Sequence, residues 1–162
     1  MRLLPESYQN FITNRLLELF GVSLLLISCF IFLSLLSFSP LDPSINNLTS
    51  SEISNLGGKI GANVSDLLFQ LFGYSSFILT VVLLSWSYKL IFHKYLPLIA
   101  LHTFLLPFFL ISISVFINLL NLSSVNGFIS NEIMISLLDL GLLSTSLNYI
   151  LLLISVFLFT LI

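Results

Sequence analysis

The hydrophobic pattern of this chain is dominated by four long stretches without charged residues, at 19–41, 67–88, 95–131 and 140–162. About 20 apolar residues in a helix cross a hydrocarbon core of about 30 Å. The third stretch is too short for two spans with a turn, and its Asn-, Ser- and Gly-rich tail is typical of a loop. The pattern therefore predicts an all-α integral membrane protein with four transmembrane helices, at about 17–38, 67–88, 97–118 and 142–162.

The basic residues predict the orientation of these spans, because Lys and Arg are enriched in cytoplasmic loops. With both termini in the cytoplasm, four basic residues lie inside (Arg2, Arg15, Lys89 and Lys94) and only Lys59 lies outside. The opposite orientation reverses this bias. We therefore expect a multi-pass membrane protein with a cytoplasmic amino terminus.

The first span ends in a loop with a strong turn signal. Its apolar core is longer than that of a cleavable signal sequence, and no Ala-x-Ala-like site follows it. Instead the chain continues with Pro40, Asp42 and Pro43, where two prolines end the helix and the aspartate favours a turn. We expect these three residues to form the loop turn.

The segment 56–72 predicts an amphipathic helix before the second span. On a helical wheel it has an apolar face, a polar face and a face of small side chains, which suits a helix at the membrane surface with another backbone close by. The alternative is that 56–72 forms the first turns of a long tilted span. A weaker amphipathic pattern occupies 126–141. The candidate helix-packing and interfacial residues are Gly57, Gly58, Gly61, Ala62, Ser65 and Gly73.

The packing face makes a steric prediction about Gly61. Glycine within a helix costs up to about 1 kcal/mol relative to alanine, so its presence needs a compensating reason such as close backbone approach. We expect Gly61→Ala to be mild, because better helix propensity offsets a small loss of closeness. Gly61→Leu should be disruptive, because its branched side chain would hold the neighbouring helix away.

Composition supports a membrane protein and excludes several other classes. Hydrophobic residues make up 57% of the 162 residues and charged residues only 7%, whereas roughly a quarter of a soluble domain is charged. No Lys- or Arg-rich tract is present, so this segment is not expected to bind nucleic acid directly. The single cysteine, Cys29, excludes an intrachain disulfide and disfavours a cysteine-based metal site.

The sequence contains no convincing catalytic, cofactor or metal motif. The 57–60 segment faintly resembles the end of a phosphate-binding loop, but Ile53 replaces its first glycine and Ile60 replaces its Ser or Thr. His102 lies within the third span and could be a buried proton carrier. Without a nearby carboxylate, a structural histidine is favoured. We therefore expect neither enzymatic activity nor a cofactor.

Three blocks of sequence resemble a known family. They read LLSFSPLDPS at 35–44, NLGGKIGA at 55–62 and DLLFQLFGY at 66–74. These blocks resemble the amino-terminal four-helix membrane domain of FtsK-type DNA translocases of bacterial division and chromosome segregation. The resemblance implies a module of the bacterial inner membrane that anchors a hexameric, ATP-driven DNA pump at the division septum. It also implies contacts with membrane lipid, division-machinery proteins and other copies of the chain.

The leading hypothesis is therefore a membrane-anchoring and septum-targeting module that links cell division to chromosome segregation. The run of apolar residues up to Ile162 indicates a fragment of a longer protein, with a cytoplasmic linker and ATPase motor downstream. One alternative is a small four-helix transporter or channel subunit, which should carry converging polar groups at mid-membrane. A free-standing interaction protein is a third possibility.

Overall fold

The chain is described from a computed structural model, which covers residues 5–45, 47–96, 98–120 and 127–140 together with 150, 153, 154 and 157. Every regular element in these residues is helical. The α-helices are α1 (Glu6–Leu36), α2 (Gly58–Phe72), α3 (Ser76–Tyr88), α4 (Ile99–Leu119) and α5 (Phe128–Asp139). A 3₁₀ turn (Gly73–Ser75) joins α2 to α3, and a π-helical turn (Lys89–His93) follows α3.

Three helical segments within the described residues are long and apolar enough to cross a membrane: Ser7–Leu36, Gly58–His93 and Ile99–Leu119. They correspond to the first three predicted spans. The predicted fourth span at 142–162 lies almost entirely outside the described residues. The first helix begins at Glu6, about three turns before the predicted start of the first span at residue 17, because residues 6–16 include neither Gly nor Pro.

Helices α1 and α3 pack antiparallel, and buried hydroxyl groups fix their register. Ser28 Oγ donates to the carbonyl of Thr80 at 2.8 Å, and Ser87 Oγ donates to the carbonyl of Gly21 at 2.8 Å. At Gly21 the backbones approach so closely that a β-carbon would lie 2.7 Å from Ile91 Cγ1. These hydrogen bonds satisfy polar groups inside an apolar interface, where an unpaired group would be costly.

Gly73 breaks the segment between α2 and α3 with a φ of +59°. Unbroken, the 36 residues of Gly58–His93 would form a helix of about 54 Å, well beyond a hydrocarbon core. Instead Ser76 Oγ donates to the carbonyl of Leu68 at 2.7 Å, although eight residues along a straight helix would separate them by about 12 Å. The second predicted span, 67–88, is therefore not one continuous helix, because the chain turns sharply at Gly73.

Helix α2 crosses the end of α1. In the antiparallel pair of α1 and α3, residue 21 lies beside residue 87 and residue 28 beside residue 80. Continuing this register places Gly73, just after α2, near the level of residue 35. The preceding end of α2 lies at the same level, because a β-carbon on Gly57 would be 2.6 Å from Ser34 Oγ. Both ends of α2 thus lie at the level of the last turn of α1.

Helices α4 and α5 pack against each other beside the end of α2. Ser114 Oγ of α4 donates to the carbonyl of Phe72 at 2.9 Å. Asn118, also in α4, donates to Asn131 Oδ1 of α5 at 2.8 Å. A β-carbon on Gly127, at the start of α5, would overlap the carbonyl of Leu71. The amphipathic segment predicted at 126–141 is therefore helical over Phe128–Asp139 and packs beside the end of α2.

An ion-pair cluster ties α1 to the turn between α3 and α4, at the opposite end of the helices. Glu18 contacts Arg15 at 2.6 Å and Lys94 at 2.8 Å. Lys94 has a φ of +53° and Leu98 a φ of +52°, which non-glycine residues seldom adopt. The Glu18–Lys94 pair thus holds the residue that follows the π-helical turn, in its unusual backbone conformation, next to α1.

Candidate functional site

The most extensive polar network in the described part of the chain joins the end of α1, the following loop and the start of α2. We call this region the α1–α2 corner and define it as residues 34–45 and 47–66. It contains the two more amino-terminal of the three sequence blocks that resemble the translocase family, and the beginning of the third. We therefore take the α1–α2 corner as the candidate functional site.

Asn55 is the centre of the α1–α2 corner. Its side-chain amide donates to the carbonyl of Ser34 at 2.8 Å, to the carbonyl of Ser37 at 3.3 Å and to Ser65 Oγ at 3.2 Å. Its amide oxygen accepts from the backbone N–H of Gly57 at 2.9 Å. The side chain is buried and supplies partners to carbonyls left free where α1 ends. One asparagine thereby joins α1, the loop and α2.

Asp42 fixes the opposite end of the same loop. One carboxylate oxygen accepts from the backbone N–H and the hydroxyl of Ser54, at 3.0 and 2.7 Å, and the other accepts from the backbone N–H of Asn55 at 2.9 Å. Burial opposes ionisation of Asp42, but these three hydrogen bonds outweigh it and hold the pKa of the carboxyl below its usual value. An ionised Asp42 thus positions Asn55.

Each of the three faces of α2 has different surroundings. The small residues Gly61, Ala62 and Ser65 are buried, and a β-carbon on Gly61 would overlap the amide oxygen of Asn55 and lie 2.8 Å from Ser34 Oγ. The small face therefore packs against the corner. Gly57 is equally close to α1, and Gly73 forms the bend after α2.

Gly58 does not belong to the packing face, contrary to the sequence interpretation. A β-carbon on Gly58 would meet nothing within 4 Å, whereas its φ is +62°. A left-handed backbone favours glycine because other side chains clash with the following carbonyl. The reason for this glycine is therefore the conformation of the chain entering α2, which a helical wheel does not represent.

The polar face of α2 holds the loop. Asp66 accepts from Ser44 Oγ at 2.6 Å and from Gln70 Nε2 at 3.0 Å. Asn63 Oδ1 accepts from the backbone N–H of Ile45 at 2.9 Å. Part of the face that the sequence assigns to a water-exposed surface thus pairs with the chain's own loop.

The predicted loop turn lies within this network. The carbonyl of Pro40 accepts from Asn47 Nδ2 at 2.7 Å, and the backbone N–H of Asp42 donates to the carbonyl of Ser39 at 3.1 Å. Pro43 lines a cavity next to α2. The sequence interpretation included the prolines and Asp42 but missed Asn55, whose partners become apparent only when the loop folds back onto α1.

His102 lies away from this corner, against Trp86. The two rings are 6.4 Å apart between centroids, and both side chains are buried. Neither His102 Nδ1 nor Trp86 Nε1 has a hydrogen-bond partner in the part of the chain that is described. Within the same residues, no group of three His, Cys, Asp or Glu side chains could hold a metal ion.

Three apolar helical segments, a sharply bent connection and a hydrogen-bonded corner define a helical membrane domain of the multi-pass class. The chain belongs to the family described as the 4TM region of DNA translocase FtsK/SpoIIIE, which matches residues 13–161. No solved structure matches the chain at a significant level.

Three relatives show how this match is distributed. The chain is 31% identical over 86 residues to DNA translocase FtsK of Azospirillum brasilense, covering 52% of this chain and 14% of the relative. It is 30% identical over 91 residues to that of Bradyrhizobium diazoefficiens, covering 56% and 11%. With that of Vibrio vulnificus it is 46% identical over 59 residues, covering 36% and 6%. The matched segments thus span only a small part of these relatives.

Proposed function

We propose that this chain is the membrane-anchoring and septum-targeting module of an FtsK-type DNA translocase, and that it links cell division to chromosome segregation. The family match over residues 13–161 carries this proposal. The three candidate spans support it, because an anchor needs apolar helices of spanning length. Since the matched segments cover 14% or less of the three relatives, we also propose that a cytoplasmic linker and ATPase motor follow residue 162.

The proposed topology has four spans in the bacterial inner membrane, with residues 142–162 as the fourth and both ends in the cytoplasm. The four-to-one distribution of basic residues supports this orientation. In this orientation the α1–α2 corner faces the non-cytoplasmic side. Helix α2 lies along the membrane interface, because both of its ends are level with the last turn of α1. We propose the same interfacial placement for α5.

Cysteine labelling tests the orientation. In a Cys29→Ser background, Thr49→Cys is expected to react with a membrane-impermeant maleimide added to intact cells, because residue 49 lies in the loop after α1. Phe92→Cys, in the turn after α3, should react only after the membrane is permeabilised. Labelling of position 92 but not position 49 in intact cells would reverse the topology.

The buried hydroxyl groups favour an anchor over the alternative of a transporter or channel subunit. Ser28 and Ser87 bond to carbonyls of a neighbouring helix, while Ser34 and Thr80 bond to carbonyls of their own helices. The hydrogen bonds of these hydroxyls are used within and between α1 and α3, so the hydroxyls do not line a polar path. We propose that the module acts through contacts with lipid, with division-machinery proteins and with other copies of the chain, as a hexamer. DNA contact belongs to the motor.

A chimeric translocase tests the module's function. This chain replaces the membrane region of a full-length FtsK-type translocase in cells that need that region for division. We expect the chimera to restore division, whereas an unrelated four-helix membrane protein fused to the same linker and motor should not. Equal rescue by both fusions would reduce the role of this chain to attachment, and no rescue by either would leave the septal role without support.

A further inference from the structure

A cavity of about 380 Å³ lies between the loop and the polar face of α2. Lys59 borders this cavity, and its side chain has no hydrogen bond or ion pair in the portion of the structure that is described. The corner contains three carboxylates. Asp42 is engaged by Ser54 and Asn55, and Asp66 by Ser44 and Gln70. Glu52 is exposed and does not line the cavity. Lys59 therefore retains a positive charge available to an external anion.

The membrane placement of α2 brings Lys59 to the level of lipid headgroups. The Arg15–Glu18–Lys94 cluster marks the cytoplasmic boundary in the proposed topology. From residue 18 to residue 34, α1 rises about 24 Å, compared with about 30 Å for a hydrocarbon core. Gly57 is packed against Ser34, and Lys59 follows two residues later. Its flexible stem can carry the ammonium group outward to the phosphate layer.

The rim of the cavity is unexpectedly apolar for an aqueous loop. Leu48 is 96% exposed and Ile45 is 80% exposed, although the surrounding loop is hydrogen-bonded. Leu56, two residues before α2 begins, is 73% exposed, and Ile60, the residue after Lys59 on α2, is 70% exposed. A lysine set among protruding apolar side chains matches an amphiphile, whose charged headgroup lies next to an apolar body.

We propose that this cavity binds the phosphate group of a phospholipid in the non-cytoplasmic leaflet. Lys59 pairs with the phosphate, while Ile45 and Leu48 contact the glycerol and upper acyl region. A free phosphate ion would gain only the contact with one exposed lysine, which is weak. Only a lipid would also bury apolar surface against the apolar rim of the cavity. The inference rests on the proposed interfacial placement of α2 but not on the septal role.

Photolabelling in vesicles tests the site. The purified chain is reconstituted with a phospholipid that carries a photoreactive group on its headgroup, and labelled peptides are mapped after chymotrypsin digestion, which does not depend on Lys59. We expect labelling within 43–63. Lys59→Ala should lower it about fivefold, the effect of one lysine near a lipid surface, and Lys59→Arg should restore it. Lys89→Ala is the matched control and should leave it unchanged.

Two further arms identify the source of the phosphate. A photoreactive glycolipid without phosphate should label residues 43–63 of the parent chain only weakly. The labelling should be no stronger than that of the Lys59→Ala variant by the phospholipid. Excess inorganic phosphate should leave phospholipid labelling intact. The proposal is overturned if Lys59→Ala is labelled like the parent chain, or if inorganic phosphate abolishes labelling, which would indicate a site for a free anion. Cysteine labelling of residues 49 and 92 tests the topology separately.

Discussion

Asn55→Ala is expected to destabilise the chain by about 3 kcal/mol, the largest effect of any single side-chain truncation in the α1–α2 corner. The substitution leaves the carbonyls of Ser34 and Ser37 and the N–H of Gly57 without the partner that Asn55 supplies. The Ser65 hydroxyl loses the bond it accepts from Asn55 but keeps the bond it donates to the Ala62 carbonyl. Each buried group left unsatisfied costs about 1–3 kcal/mol, and part of this cost is recovered where water can enter. Unfolding of the purified chain in mixed detergent micelles measures the difference.

Asn10→Ala is the matched control, because Asn10 is an exposed asparagine of α1 outside the corner. Its substitution should change the free energy of unfolding by no more than about 0.5 kcal/mol. If Asn55→Ala were as mild as Asn10→Ala, the asparagine would not be what joins the loop to α1 and α2.

Gly61→Leu is expected to separate α2 from α1, and Gly61→Ala to be destabilising as well. The sequence predicts a mild effect for alanine, but its methyl group would overlap the amide oxygen of Asn55 and lie 2.8 Å from Ser34 Oγ. Overpacking of this kind costs about 1–3 kcal/mol, which exceeds the gain of up to about 1 kcal/mol in helix propensity. Leucine cannot fit unless Asn55 moves.

Gly58 gives a control with a different physical cause. Gly58→Ala meets no atom within 4 Å, but its left-handed backbone should cost about 1–2 kcal/mol, and Gly58→Asn should cost less because asparagine tolerates this conformation. The free energy of unfolding should therefore be higher for Gly58→Asn than for Gly58→Ala. At position 61 the free energy of unfolding should be highest for glycine, lower for alanine and lowest for leucine. Wild-type stability for Gly61→Leu would exclude close packing at this face.

The sequence was sufficient for features that repeat along a helix. The hydrophobic stretches predicted the three apolar helical segments of spanning length within the described residues, although the second is bent at Gly73. The wheel over 56–72 predicted α2 with a face of small residues, of which Gly61, Ala62 and Ser65 are buried. These features depend on the spacing of neighbouring residues, which a helical period captures directly.

Features that depend on distant contacts could not be predicted in this way. Asn55 is buried because it reaches Ser34, 21 residues earlier in the chain, and no local pattern links the two. The positive φ of Gly58 arises where the loop enters α2, so periodicity assigned this glycine to a packing face instead. Likewise, Asp66 and Asn63 suit a water-exposed face until the loop folds over them.

Septal localisation is the most direct test of the central claim, that this membrane domain is a targeting module in its own right. The chain is fused to a fluorescent protein without any motor and expressed at a low level in dividing cells that contain the native division proteins. We expect fluorescence to concentrate at the septum, while an unrelated multi-pass protein with the same fluorophore labels the whole membrane. Uniform membrane fluorescence of the chain in those cells would contradict the account.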